Sequence, residues 1–203
     1  MDRVVVYIDG FNLYFGIIER GWRRYLWLDL DALARRLLKP KQSLVATKYF
    51  TARVRDDKAK IQRQSTFLQA LETLGQVNIY YGRYQRKSKK YKHCKTKWNE
   101  YEEKMTDVHL ATELMRDAYT NSFDSALIVT ADGDLEPPIT TIKQDFPNKK
   151  IIIVFPPKRD NPHLKTIADD YFRIGRGRLS KCQLPIAVIK PDGFKLVRPK
   201  DWH

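Results

Sequence analysis

Short runs of consecutive apolar residues alternate along the chain with longer segments in which apolar residues recur every three or four positions. The runs are typical of buried strands, and the longer segments are typical of amphipathic helices. Strands are predicted over residues 4–8, 44–50, 77–81, 125–129, 151–155 and near 171–174. Helices are predicted over residues 11–19, 29–38, 58–74, 105–119, 135–146 and around 164–168. This alternation predicts an α/β fold, with a mainly parallel sheet and helices on both faces.

Two segments depart from this alternation. Residues 83–100 are basic and interleaved with tyrosine, and from Cys182 onward two short apolar runs, 186–189 and 194–197, flank a Pro-Asp-Gly turn. We interpret the second segment as a short C-terminal β appendage. With 203 residues, the chain is expected to form one domain over 1–180, with an extension over 181–203 that packs on it.

The predicted helix over 105–119 carries an apolar stripe formed by Val108, Ala111, Met115 and Ala118, which we expect to face the sheet. No apolar stretch approaches the roughly 20 residues of a membrane span, so no membrane association is expected. The first apolar run, Val4 to Ile8, is too short for a signal peptide. Two cysteines far apart in sequence do not form a disulfide framework, and we expect a cytoplasmic protein.

Charge adds a partner to this picture. The chain has 38 Lys and Arg against 24 Asp and Glu, a formal net charge of +14. Clustered Lys and Arg displace the counterions condensed on phosphates, so such an excess favours a nucleic acid as the partner. The alternative is a soluble surface that happens to be basic.

Acidic residues stand where three predicted elements begin or end. Asp9 follows the first strand in Asp9-Gly10-Phe11-Asn12, where Gly10 is expected to permit a tight turn and Asn12 to start a helix. Asp132 and Asp134 follow a central strand in Thr130-Ala131-Asp132-Gly133-Asp134, and Asp107 opens the helix over 105–119. Each alone has an ordinary explanation as a turn or as a helix start, where Asp and Asn are favoured.

Together the four acids indicate a metal site. The carboxyl ends of parallel strands share one edge of a sheet, and ligands bind there. Like charges packed at that edge repel one another unless a cation lies among them. Mg²⁺ and Mn²⁺ prefer oxygen ligands. The chemistry that uses such a site is phosphoryl transfer with a metal-activated water.

Three segments in series resemble the NYN domain, the LabA-like branch of the PIN-like nuclease superfamily. They are Tyr7-Ile8-Asp9-Gly10-Phe11-Asn12-Leu13-Tyr14, residues 101–108 and residues 128–137, and the resemblance runs from about residue 3 to 175. It implies a Rossmann-like (PIN-like) fold and RNA cleavage that depends on Mg²⁺ or Mn²⁺. It also implies that the metal ligands are Asp9, Asp107, Asp132 and Asp134. Asn12 and Thr130 would complete the catalytic set as the polar partner of Asp9 and the hydroxyl before the second acid pair.

The chain departs from the family pattern at two places. The family motif usually reads Ser-Gly-Asp-Ser-Asp where this chain has Thr130 to Asp134, so Gly133 lacks a hydroxyl but no acid is lost. Members with the basic insertion often carry a Cys-x-x-Cys-like pair, of which only His93-Cys94 remains here. One Cys and one His do not complete a four-ligand zinc site, so no zinc is expected.

The basic insertion is predicted to bind RNA, since its Lys and Arg can contact phosphates and its tyrosines can stack on bases. The predicted RNA-binding residues are Arg83, Tyr84, Arg86, Lys87, Lys89, Lys90, Tyr91 and Lys104. The alternative is a solvated loop. For Lys104, contact with the scissile phosphate and neutralisation of Glu103 are equally favoured.

Other functions remain open on the same fold. A non-catalytic RNA-binding or adaptor protein would bind without a metal-dependent product, and a structure-specific DNA nuclease would share the chemistry. A phosphatase with an aspartyl nucleophile commonly has a second Asp two residues after the first, where this chain has Phe11. The sequence leaves open a homo-oligomer or a regulatory protein partner.

Overall fold

A computed structural model describes residues 1–55, 57–90 and 97–202, and of residues 86–90 and 97–103 it describes the backbone only. The strands are β1 (Asp2–Asp9), β2 (Gln42–Thr51), β3 (Asn78–Tyr81), β4 (Arg83–Lys90), β5 (Lys97–Lys104), β6 (Ser125–Val129), β7 (Lys150–Phe155), β8 (Asp170–Arg173), β9 (Ala187–Ile189) and β10 (Lys195–Val197). The α-helices are α1 (Gly10–Glu19), α2 (Leu30–Leu37), α3 (Lys58–Leu74), α4 (Thr106–Tyr119), α5 (Glu136–Asp145), α6 (Pro162–Ile167) and α7 (Arg176–Ser180). Short 3₁₀ helices cover Arg23–Tyr25, Gly133–Leu135 and Lys200–Trp202.

Six strands form one parallel sheet in the order β3-β2-β1-β6-β7-β8. The predicted α/β fold is confirmed. The chain builds outward from β1 to β3 on one side, then crosses back and builds from β6 to β8 on the other. The strand order therefore reverses between β1 and β6, and α/β sheets bind ligands at such a point.

Side chains of β1 point alternately to the two faces of the sheet, as strand geometry requires. Val4, Val6 and Ile8 belong to the core cluster that α1, α2 and α3 cover. Val5 and Tyr7 belong to the cluster on the opposite face, which α4 and α5 cover.

No helix among the described residues is long and apolar enough to cross a membrane.

The predicted apolar stripe of α4 is wrong at its first member. Val108 is 63% exposed. The face of α4 that lies on the sheet instead carries Leu110, Glu113, Leu114, Asp117 and Ala118. Two of these five residues are acidic, and charged residues count as outward-facing when a helix is interpreted from apolar periodicity.

The two described parts of the basic segment, β4 and β5, pair as antiparallel strands, and we call this pair the hairpin. β4 pairs with β5 from Arg83 opposite Lys104 to Lys90 opposite Lys97. The hairpin leaves the sheet after β3 and returns directly to the start of α4. Its base therefore lies at the same edge of the sheet as the carboxyl end of β3.

The C-terminal segment pairs β9 with β10 in an antiparallel ladder. Val188, Leu196 and Trp202 are buried in the core cluster with α2 and α3. The indole nitrogen of Trp27 donates to the backbone oxygen of Pro185 at 2.6 Å. The division into a domain over 1–180 and an extension over 181–203 stays a prediction.

Candidate metal centre

Three acids converge at the point where the strand order reverses. Asp9 is the last residue of β1, Asp107 is the second residue of α4, and Asp132 follows β6. One carboxylate oxygen from each lies within 4.8 Å of the other two. Three carboxylates at this spacing repel one another, and a cation between them removes the repulsion. Oxygen ligands alone suit Mg²⁺ or Mn²⁺, so these residues fit such an ion.

Asp9 is the most buried of the three, with 2% of its surface exposed. Its Oδ1 accepts from the backbone N–H of Asn12 at 3.0 Å, and its Oδ2 accepts from Asn12 Nδ2 at 2.6 Å. Thr130 Oγ1 also donates to Oδ2, at 3.0 Å. Burial raises the pKa of Asp9 above its ordinary value, against the hydrogen bonds from Asn12 and Thr130. Both carboxylate oxygens are therefore fixed in place.

The Thr130 hydroxyl connects two of the acids. Thr130 is fully buried, and its Oγ1 accepts from the backbone N–H of Asp132 at 3.0 Å while it donates to Asp9. Asp132 Oδ1 in turn accepts from the backbone N–H of Asp134 at 3.0 Å, which starts a 3₁₀ turn. One buried hydroxyl thus sets the distance between the end of β1 and the loop after β6.

Asp134 is placed differently from the other predicted acids. It is exposed in the first turn of the 3₁₀ helix Gly133–Leu135. Among the described residues, the group of acids close enough to share one ion contains Asp9, Asp107 and Asp132 and does not include Asp134. The role of Asp134 as a metal ligand stays a prediction.

Gly10 is needed for space rather than for a turn. Its φ is not in the left-handed region. A Cβ added at Gly10 would lie 2.7 Å from the backbone oxygen of Phe50 and 2.7 Å from the Tyr49 hydroxyl. The absent side chain lets α1 start close against β2, which fixes Asp9 and Asn12 at the sheet edge.

The base of the hairpin adjoins this site. The ring of Tyr84 lies 6.4 Å from the ring of Phe11, two residues after Asp9. Arg83 is exposed, and it pairs through the backbone with Lys104. The side chains of Arg86, Lys87, Lys89 and Lys90 and all of Tyr91, His93 and Cys94 lie outside what the structure describes. RNA binding by these residues stays a prediction.

Asn161, directly before α6, contacts the loop that carries Asp132, and it was not among the predicted site residues. Its Nδ2 donates to the backbone oxygen of Ala131 at 3.2 Å. Its Oδ1 accepts from the backbone N–H groups of His163 and Leu164 and so caps α6. A Cβ at Gly133 would meet Asn161 Nδ2 at 3.3 Å. An Asn directly before a Pro at a helix start was the available signal.

A buried ionic cluster, formed by Lys48, Glu113 and Asp117, holds α4 against the sheet. Lys48 Nζ lies 2.7 Å from Glu113 Oε2 and 2.7 Å from Asp117 Oδ2. The Tyr7 hydroxyl donates to Asp117 Oδ2 at 2.5 Å. Although burial alone lowers the pKa of Lys48, the hydrogen bonds to Asp117 and Glu113 raise it overall. The cluster fixes the helix that carries Asp107.

The comparisons with known proteins agree with this architecture. The chain is 28% identical over 243 residues to 6-hydroxy-3-succinoylpyridine 3-monooxygenase HspA of Pseudomonas putida (strain DSM 28022 / S16). The alignment covers 99% of this chain and 75% of that protein. The chain is similar in fold to VPA0982, a protein of unknown function from Vibrio parahaemolyticus RIMD 2210633. That likeness has a TM-score of 0.56 and 18% identity, and it covers 86% of this chain and 94% of the other. The model of the NYN domain family matches residues 3–175. The chain therefore belongs to the NYN domain family.

Proposed function

We propose that this protein is a divalent-metal-dependent ribonuclease that hydrolyses phosphodiester bonds inside an RNA strand. The observation that carries the proposal is the mutual approach of Asp9, Asp107 and Asp132 within 4.8 Å. Membership in the NYN domain family supports the same chemistry. The net charge of +14 supports a polyanionic substrate, because an acidic pocket alone would repel RNA.

Asp9, Asp107 and Asp132 would hold Mg²⁺ or Mn²⁺, with Asp134 beside them toward solvent. When bound, the ion lowers the pKa of a water and neutralises charge on the phosphate and the leaving oxygen. Asn12 and Thr130 keep Asp9 in one orientation through the hydrogen bonds described above. The attacking water gives up one proton as it forms the new P–O bond, the ester P–O bond breaks, and the leaving oxygen takes up one proton.

The cations of the hairpin would bring the strand to this pocket. Arg83 and Lys104 stand at the hairpin base, beside the start of α4. Contacts from Lys and Arg to phosphates position a strand without reading its sequence. We therefore expect affinity for RNA to come mainly from the hairpin and cleavage to come from the acids.

A second candidate function comes from the name of the HspA relative, which aligns with 99% of this chain. A cavity of about 340 Å³ lined by aromatic side chains borders Gly10, beside Asp9. A small heteroaromatic acid such as 6-hydroxy-3-succinoylpyridine would fit a cavity of this size, since small-molecule sites span about 300–1,000 Å³. Oxygenation of such a compound is therefore the alternative to RNA hydrolysis.

The decisive experiment offers the protein single-stranded RNA, structured RNA, circular RNA and DNA, each with Mn²⁺, Mg²⁺ or EDTA. We expect cleavage of linear and circular RNA with either metal and none in EDTA. Circular RNA identifies internal cutting, because it has no ends. A parallel incubation with 6-hydroxy-3-succinoylpyridine, under air with a nicotinamide or flavin reductant, tests the alternative.

Asp132→Asn is the critical variant. It removes one anionic ligand, so we expect cleavage to fall by at least about a hundredfold, since loss of an outer-shell partner alone typically costs 10- to 100-fold. RNA binding should stay equal or tighten, because negative charge is removed. The matched control is Asp192→Asn in the β9–β10 turn, where the exposed side chain accepts from the Phe194 N–H. Full activity in Asp132→Asn would refute the mechanism.

A further inference from the structure

We propose that the cavity between α1 and α3 binds one base of the RNA strand whose phosphates reach the acid cluster. This inference rests on the proposed ribonuclease function, because it takes RNA as the ligand. The cavity has a volume of about 340 Å³. Sites for small planar ligands have volumes of about 300–1,000 Å³ and are lined mainly by apolar and aromatic side chains with a few polar groups.

A row of four aromatic rings runs along the α1 side of the cavity. Phe11 and Phe15 are four residues apart on α1, so they lie on one face of the helix, with ring centroids 6.4 Å apart and planes at 23°. Tyr84 meets Phe11 edge to face at 6.4 Å, and Tyr14 meets Phe15 edge to face at 5.3 Å. Phe15 is 45% exposed, so part of its ring is available to a ligand. Flat rings of this kind stack on any nucleobase.

The position of the cavity connects it to the acid cluster. Gly10 lines the cavity, and Gly10 directly follows Asp9. The aromatic row begins at Phe11, one residue after Gly10. Phe11 is on α1, and Asn12 in the first turn of that helix donates to the Asp9 carboxylate. A base in the cavity belongs to a nucleotide close to the one whose phosphate meets the acids.

The charge of the lining favours a nucleotide over a neutral ring. Arg23, Lys60 and Arg63 line the cavity, and Asp201 is the acid among its described lining residues. The described lining therefore has three cations and one acid, and Asp201 Oδ2 lies 2.7 Å from Arg63 Nη1. Cations beside an aromatic wall match the phosphates that flank a base in RNA.

Calorimetric titration in EDTA tests the inference without cleavage. The probes are the four ribonucleoside monophosphates, with ribose 5-phosphate as a matched compound that lacks the base and 6-hydroxy-3-succinoylpyridine as a ring that lacks the nucleotide phosphate. We expect the nucleotides to bind at least about fivefold more tightly than ribose 5-phosphate, because stacking contributes a factor of about 5 to 160 per base.

Two pairs of variants locate the binding. Phe15→Ala should weaken nucleotide binding by about 5- to 160-fold, while Phe194→Ala, at a still more exposed aromatic outside the cavity, should leave it unchanged. Lys60→Ala should weaken it, while Lys58→Ala, two residues away on α3 and outside the lining, should not. Circular dichroism verifies that each variant folds.

Equal binding of nucleotides and ribose 5-phosphate would overturn the inference, as would unchanged binding in Phe15→Ala or binding of the pyridine alone. Since cleavage and binding are separate assays, the two proposals fail separately. Metal-dependent RNA cleavage without base-dependent binding refutes the base site alone. Base-dependent binding that disappears in Phe15→Ala, with no RNA cleaved, refutes the nuclease and keeps the cavity as a base-binding site.

Discussion

At the scale of single residues, the site is built from side chains whose neighbours leave them little freedom. Asp9 has three hydrogen bonds to its two oxygens, and Thr130 joins it to Asp132. The close approach of Gly10 to β2 sets where that arrangement begins. Changes of one methyl group are therefore expected to matter here, whereas the same changes on open surface are not.

Gly10→Ala should destabilise the protein by about 1–3 kcal/mol, because a Cβ would overlap the Phe50 backbone oxygen and the Tyr49 hydroxyl. Urea unfolding measures the loss. The matched control is Gly177→Ala in α7, where a Cβ meets nothing within 4 Å. There the change should be neutral or stabilising, by up to about 1 kcal/mol. Equal effects at the two positions would contradict the argument from space.

A second prediction concerns pH and the other end of β1. Arg3 donates to Asp124 from its backbone and guanidinium, and these hydrogen bonds lower the pKa of Asp124 from 3.8 to about 2. A carboxylate with a depressed folded pKa stabilises the protein above the unfolded value and loses that effect as pH falls. Asp124→Asn should therefore be less stable than the parent at pH 7, and the gap should close between pH 4 and 2.

Denaturation midpoints measured at pH 7, 4 and 2 check this expectation. Asp192→Asn provides the comparison, since its exposed side chain has no cation in the described chain closer than Lys190 at 3.8 Å. The denaturation midpoint of Asp192→Asn should stay close to that of the parent at all three pH values. If the difference in stability between Asp124→Asn and the parent grew as pH fell, the hydrogen bonds from Arg3 to the ionised carboxylate would not be its cause.

At the scale of elements, α4 joins the acid cluster to the interior. Asp107 stands at its amino end, and Glu113 and Asp117 contact Lys48 further along its buried face. Removal of one partner from a buried ionic group leaves charge without compensation, which costs more than the intact group contributes. The stability of α4 on the sheet therefore depends on Lys48.

Lys48→Met should destabilise the protein by about 3–5 kcal/mol, because Asp117 then stays buried without its cation and Glu113 keeps only the exposed Arg116, at 2.7 Å. Urea unfolding tests this, with Lys150→Met at the exposed start of β7 as the control. Further substitution of Glu113→Gln and Asp117→Asn should recover much of the loss, since the uncompensated charges are then removed. A triple variant less stable than Lys48→Met would contradict the electrostatic cause.

Apolar periodicity predicts most elements of this fold from the sequence. The bounds of α3 and β6 coincide with the prediction residue for residue, because each has a clear period and a clear stop. Asp9 and Asp132 were predictable since residues after parallel strands meet at one edge. The buried face of α4 was not predictable, because Glu113 and Asp117 are both paired with Lys48, which lies 65 or more residues away in the chain.

Two other features depend equally on distant partners. The hairpin of β4 and β5 has charged residues on most positions, so it lacks the apolar alternation that indicates a strand. Asn161 acts on the acid loop through Ala131, 30 residues earlier in the chain. Sequence alone gives neither contact. The sequence does show which residues are acidic, so the acids of the site could be predicted. The residues that hold those acids in place could not, because their contacts join distant parts of the chain.

At the scale of the whole molecule, the positive charge and the acidic pocket have separate places. Acids gather at the edge where β1 and β6 end, while the hairpin that leaves the same edge is rich in Lys and Arg. For a polyanion, attraction and chemistry are then supplied by different parts of one surface. The affinity for RNA should depend on salt concentration through the Lys and Arg of the hairpin, and on the metal ion through the acids.

Lys87→Ala with Lys90→Ala should weaken binding of single-stranded RNA and reduce the slope of log affinity against log salt by about 1.4, or 0.7 for each phosphate that is no longer neutralised. Titrations between 50 and 200 mM salt in EDTA measure the slope. Lys195→Ala with Lys200→Ala, which removes the same charge from the C-terminal segment, should change it less. Equal slopes in the two double variants would mean that the hairpin has no special share in binding.

One residue, Met105, separates the end of β5 from the start of α4, and its φ is 80°. Consecutive Cα atoms lie about 3.8 Å apart across a trans peptide, so the Cα atoms of Lys104 and Asp107, three residues apart, are separated by at most about 11 Å. We therefore expect a substitution that shifts the end of β5 to shift the Asp107 carboxylate as well.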